Sequence, residues 1–192
     1  MFLIDDSDYI GDRWPAMKKS LARFAELATK YDTDGIDLAF IHSETEHSSI
    51  TKDQLEWLMA NVEAETVPNK ESGSSMSISL DKHLSRYTRK YKEHTNCCKY
   101  LNLIVLTSGD PGYWDDFDDK VLEYAKEFDV MSAPKFQLGI QFALIQTEPE
   151  DQERFRRLDD QTFEEDIKRV RYTFVRSLIL QKATNCLSTG TL

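Results

Sequence analysis

Apolar residues recur along this chain in two alternating rhythms. Short runs read as strands: Phe2-Leu3-Ile4, Ile36 to Ile41, Leu101 to Thr107, and Phe136 to Ile145. The last is nearly continuous, as expected of a strand covered on both faces. Between them the spacing turns helical. Trp14, Met17, Leu21, Phe24, Ala25 and Ala28 predict a helix over 13–31, with Asp12 as its cap and Pro15 in its first turn. Leu55, Leu58, Met59 and Val62 mark a second helix begun by Thr51. Leu80, Leu84, Tyr87 and Tyr91 mark a third, and Phe117, Val121, Tyr124 and Phe128 a fourth. Phe155 and Leu158 start another. Ile167, Val170, Phe174 and Leu178 predict a last helix, whose basic face would carry Lys168, Arg169, Arg171 and Arg176. Residues 63–79 and 108–116 read as loops, and 182–192 as a fraying tail.

Strands separated by helices predict an α/β, doubly wound, mainly parallel sheet flanked by helices, built as a single domain over 1–181. In such sheets ligands bind beyond the carboxyl ends of the strands, where the direction of winding reverses. Asp5–Tyr9 and Thr107–Asp110 fall at two such ends.

Composition narrows the partners. The net charge of −10 argues against nucleic acid or an anionic membrane, because phosphate binding needs a basic surface. No apolar stretch approaches the roughly 18 residues of a membrane span. The three cysteines, Cys97, Cys98 and Cys186, make a poor disulfide framework and point to a reducing, cytoplasmic compartment.

Several chemistries receive little support from spacing. His94 beside Cys97 and Cys98 raises a zinc question, but adjacent cysteines seldom chelate as a pair, and a helix end running into a strand accounts for them. Asp115, Asp116, Asp118 and Asp119 lack the glycine and glutamate of a calcium loop and read as an acidic helix start. His42 and His47 fall in a polar loop and are expected to be solvated; His83, one residue off its helix stripe, is expected to be exposed. Neither a phosphate-cradling glycine loop nor a serine-nucleophile elbow occurs.

Several segments, in order, resemble the von Willebrand factor A (vWA) domain, particularly its intracellular members in filamentous fungi. They are Phe2-Leu3-Ile4-Asp5-Asp6-Ser7, Asp34 to Phe40, Gly73-Ser74-Ser75, Leu103 to Gly109, Gly139-Ile140-Gln141-Phe142, and Phe155 to Asp160. The resemblance implies a metal-ion-dependent adhesion site holding Mg²⁺, and a protein partner. Asp5 and Ser7 match the first Asp and Ser of its motif, and Ser74 stands at the Thr position. Tyr9 replaces the second Ser, and Ser108 replaces the final Asp. Losing a carboxylate beside a dication forfeits on the order of a few kcal/mol at an effective dielectric near 20. The resemblance therefore implies a degenerate site, with Asp8 and Asp110 as neighbouring charges for partner binding. It also implies further chain upstream, so the short first strand is expected to be truncated and stability reduced.

The expectation is a non-catalytic protein–protein interaction module. One alternative is a metal-independent scaffold that has lost the site, and a hydrolase using the strand-tip cleft is a weaker one.

Overall fold

A computed structural model describes residues 1–28, 34–43, 45–61, 76–109, 114–134, 136–164 and 170–176; of residues 8, 9, 159–164 and 170–176 it describes the backbone alone. Six strands form one sheet: β1 (Phe2–Ile4), β2 (Ile36–Phe40), β3 (Glu46–Ile50), β4 (Leu101–Thr107), β5 (Leu138–Leu144) and β6 (Val170–Arg176). Their order across the sheet is β3-β2-β1-β4-β5-β6. Every neighbouring pair is parallel except β2–β3. The helices are α1 (Trp14–Ala28), α2 (Lys52–Asn61), α3 (Met76–Glu93), α4 (Trp114–Val130) and α5 (Pro149–Glu164). The architecture is the doubly wound α/β sheet that the alternation of patterns predicts.

Side-chain alternation along each strand divides the core between the two faces. Phe2, Ile4, Leu38, Phe40 and Leu106 pack under α1 and α2 with Met17, Leu21, Leu55 and Met59. Leu3, Leu103, Val105, Ile140 and Phe142 pack under α3, α4 and α5 with Leu80, Leu84, Phe117, Val121, Phe128 and Phe155. β1 pairs with β2 on one edge and β4 on the other, and the helix layers bury its side chains on both faces, Phe2 and Ile4 on one and Leu3 on the other.

Five local expectations give way. The predicted last helix is, over the described residues, strand β6, which continues the parallel sheet beside β5. Ile167, Lys168, Arg169 and Leu178 lie outside the described residues, and Arg171 and Arg176 belong to the strand rather than to a basic helix face. β3 takes the place of the polar loop around His47, and its irregular register opposite Ile36–Leu38 goes with a positive φ of 54° at Ser49. Gly35 makes this possible: a Cβ there would sit 2.6 Å from the Ser49 carbonyl carbon, and its own φ is +95°. His83 is buried, because it follows Leu80 by three residues and so faces the core with it. Finally, Asp12 lies within a 3₁₀ segment, Asp8–Arg13, and does not cap α1.

The boundaries also shift slightly. α3 begins at Met76, inside the expected loop, and β5 begins at Leu138, leaving Phe136 exposed at φ 70°. Residues 29–31, 63–75 and 177–192, including the tail 182–192 and Cys186, lie outside the described residues. Thr51 does begin α2. Its hydroxyl accepts from the Gln54 amide while its own amide donates to Gln54 Oε1 (3.3 and 2.8 Å), a reciprocal cap that satisfies two helix-end donors.

Candidate functional site at the winding switch

The chain runs outward from β1 to β2 on one side and from β4 to β5 on the other, so the winding reverses between β1 and β4. The carboxyl ends of those two strands open a crevice there. Asp5 is the first residue beyond β1 and hydrogen-bonds by its amide to the Leu106 carbonyl (2.9 Å), which holds the two strand ends together.

Asp5 organises the crevice. Its Oδ1 accepts from the Ser7 hydroxyl (2.7 Å) and the Ser7 amide (3.2 Å), and its Oδ2 accepts from the Thr107 hydroxyl (2.8 Å). Thr107 Oγ1 in turn accepts from the Gly109 amide (3.1 Å). All of this is shielded: Asp5 is 4%, Ser7 9%, Thr107 0% and Ser108 7% exposed. Charge-assisted bonds of this kind are shorter and stronger than neutral ones, and burial sharpens them further.

Asp6, directly beside it, does different work. Its two oxygens accept the amides of His42 (2.8 Å) and Ser43 (3.0 Å), clamping the loop after β2 to the loop after β1. Burial pushes its carboxyl up from the usual carboxylate range, and those two amides, with the His42 charge, oppose the rise.

The clamp delivers His42 to the same crevice. Its Nε2 lies 3.9 Å from Asp5 Oδ1, and its Nδ1 is buried without a hydrogen-bond partner. The expectation of a solvated His42 is thus corrected. The signal lies in the strand register: Ile4 stands opposite Phe40, so the residues just after each strand reach one rim together. A reading without strand neighbours does not see it. His47, also expected to be solvated, sits half-buried on β3 with a buried, unpartnered Nε2.

The rim continues beyond β4. Gly109 has φ +134°, and a Cβ there would meet the Thr147 methyl at 2.6 Å and Asp151 Oδ2 at 2.9 Å. Only glycine lets the loops after β4 and β5 approach this closely. Thr147 Oγ1 is buried without a partner.

Of the residues that the sequence singles out, the structure brings together Asp5 and Ser7, with Ser108 on the same rim. Ser74 and Asp110 lie outside the described residues, as do the side chains of Asp8 and Tyr9. Asp6, Thr107 and His42 complete the cluster without matching any motif position. Among the described residues the ligand atoms at the crevice are therefore those of the Asp5 carboxylate, whose oxygens already accept three hydrogen bonds, of hydroxyls and of an imidazole. Mg²⁺ prefers several hard anionic or water oxygens in a tight octahedron, and this set does not suit it.

Elsewhere, two features change no ligand reading. The amides of Cys97 and Cys98 both donate to the His94 carbonyl (3.1 and 2.9 Å) in the turn between α3 and β4, with Cys97 exposed. Asp115 and Asp116 occupy the first turn of α4, and Asp118 one turn on has its carboxyl pushed up to about 6 by burial, then by Asp115, against the pull of Arg154. Among the described residues no helix is long and apolar enough to cross a membrane. In comparison with known proteins, no family model and no curated protein matches this chain.

Proposed function

We propose that this chain is a vWA-like, non-catalytic binding module that recognises another protein through the rim at the carboxyl ends of β1, β2 and β4. The observation that carries the reading is the Asp5 cluster at the winding switch. Polar side chains from separate loops converge there under burial, which builds a rigid rim rather than a solvated turn. A rim of this kind suits an interface because little ordering is left for the binding step. Its metal site is read as a degenerate adhesion site, since one carboxylate and the hydroxyls of Ser7 and Ser74 remain of the implied ligand set.

A second reading is favoured by one observation. Each Asp5 oxygen already accepts a hydroxyl proton, so the cluster is self-sufficient, as in a scaffold that has lost its ligand site. Capture of partners from native lysate, with and without EDTA, separates the two. The binding reading expects a protein captured by the wild-type chain and lost from the Asp8→Lys/Asp110→Lys variant. Capture unchanged by those charge swaps overturns it in favour of the scaffold.

A further inference from the structure

We infer that the outward ridge of α3 is a docking surface for a short acidic segment of a partner protein, with Arg89 and Lys90 as its free cations. The surface lies outside the β1–β4 rim, so the inference goes beyond the reading of that rim and does not depend on it.

Helical spacing builds the ridge. Leu80, Leu84 and Tyr91 carry the buried stripe of α3 into the core. Arg86 follows Lys82 by four residues, and Arg89 and Lys90 follow Arg86 by three and four. The four cations therefore stand together on the opposite side of the helix, and all of them are exposed. Like charges at these spacings repel one another and cost helix stability.

The molecule offsets only part of that repulsion. Glu46 on β3 reaches Lys82 and Arg86 (2.7 Å each), and the carboxyl end of α3 favours a cation at Lys90. Lys92, on the flank, is taken by Glu127 (2.6 Å). The Arg89 and Lys90 side chains have no hydrogen-bond or ion-pair partner among the described residues, and Glu93, one turn on, closes no ion pair with either.

Charge then selects the occupant. The chain as a whole carries −10, so the ridge is a local positive field on an acidic molecule. From Lys82 to Lys90 it rises about 12 Å, a length that an extended segment covers with about four residues. A short run of carboxylates fits within that length, and the free Arg89 guanidinium can take one of them bidentately. A long nucleic acid or an anionic bilayer reaches past the ridge onto the acidic remainder, where like charge repels it.

Fluorescence anisotropy tests the surface, with a labelled oligoglutamate of about eight residues and the full chain at about 20 mM salt, where screening is weak. The expected result is saturable binding that weakens steeply as salt rises. Arg89→Glu/Lys90→Glu should bind the peptide ~10-fold or more weakly. Lys19→Glu/Arg23→Glu, on the exposed side of α1, makes the same change in net charge and should weaken binding far less. No saturable binding, or an equal loss in the two double variants, overturns the inference. Tighter binding of single-stranded DNA or of phosphatidylserine vesicles overturns it in favour of a nucleic acid or a membrane. Salt-sensitive self-association that oligoglutamate does not displace overturns it in favour of a second copy of the chain. Should the charge reversal unfold the protein, Arg89→Gln/Lys90→Gln carries the test, and unchanged peptide binding there overturns the proposal. None of these variants touches Asp8 or Asp110, so the rim reading stands or falls by its own experiment.

Discussion

The β1–β4 rim and the start of α4 both gather carboxylates against apolar surface, and they treat them in opposite ways. At the rim, each Asp5 and Asp6 oxygen accepts at least one donor from a hydroxyl or backbone amide. At the start of α4, Asp118 Oδ1 is buried with no partner, while Asp115 and Asp119 crowd it with like charge. The difference teaches what makes a buried acid structural. Donors fix it in place as an organiser of loops and oppose the rise that burial causes, as the two amides do at Asp6; without them, at Asp118, burial and like charge carry the carboxyl to about 6.

Substitutions can break this contrast. The largest effect is expected of Asp6→Ala, which leaves the His42 and Ser43 amides without their acceptor and should lower stability by about 3 kcal/mol in urea unfolding. An effect below about 1 kcal/mol would mean that the clamp contributes little. Next is Thr107→Val, close in shape at a fully buried position, which removes the donor to Asp5 Oδ2 and the acceptor of the Gly109 amide. A loss of about 1–2 kcal/mol is expected, read from the same unfolding curves.

Asp118→Asn should act in the opposite direction. The folded carboxyl titrates at about 6 against an unfolded value near 3.8, so the folded state takes up a proton as pH falls between those values. Ionised Asp118 thus costs stability above pH 6, and the cost disappears toward pH 4. The asparagine should gain about 1 kcal/mol at pH 7, discounted for partial exposure, and nothing at pH 4. Unfolding midpoints at the two pH values check the sign, and an equal gain at both would refute it.

The smallest effect belongs to Glu46, a surface acid that has donors. Its contacts with Arg86 and Lys82 (2.7 Å each) tie the β3 edge to α3 and hold its carboxyl down at about 2. That stability is present above the ordinary value of 4.5 and is lost as pH falls from there toward 2. Glu46→Gln should cost about 0.5–1 kcal/mol at pH 7 and less at pH 3.

Most of the sheet could be read in the sequence because its central strands are nearly pure apolar runs, and the first four helices carry clear stripes. β6 was hidden by arithmetic. Val170 and Phe174 are four residues apart, a spacing that fits one face of a helix and one face of a strand alike. The β-branched and aromatic content of Val170-Arg171-Tyr172-Thr173-Phe174-Val175 is the feature that decides for the strand. β3 was hidden because Glu46-His47-Ser48-Ser49 is polar, as an edge strand exposed to water is free to be. At the site, Asp5 and Ser7 were visible through local motif spacing. Asp6 and Thr107 fell within the strand-end stretches but had no role assigned, and His42 was expected to be solvated, since these roles arise only when three strand ends are brought side by side. A hydrogen bond such as Thr107 to Asp5 leaves no trace in local spacing.

That same bond joins side chains 102 positions apart. Phe2, Leu3 and Ile4 pair with Ile104, Val105 and Leu106, so on the ribosome the middle of the sheet has no β4 neighbour until the chain has grown by about a further hundred residues. Until then, three large apolar side chains wait in contact with water or a chaperone. Both halves of the core are therefore expected to consolidate late and together, with pairing across this long separation as the slow step.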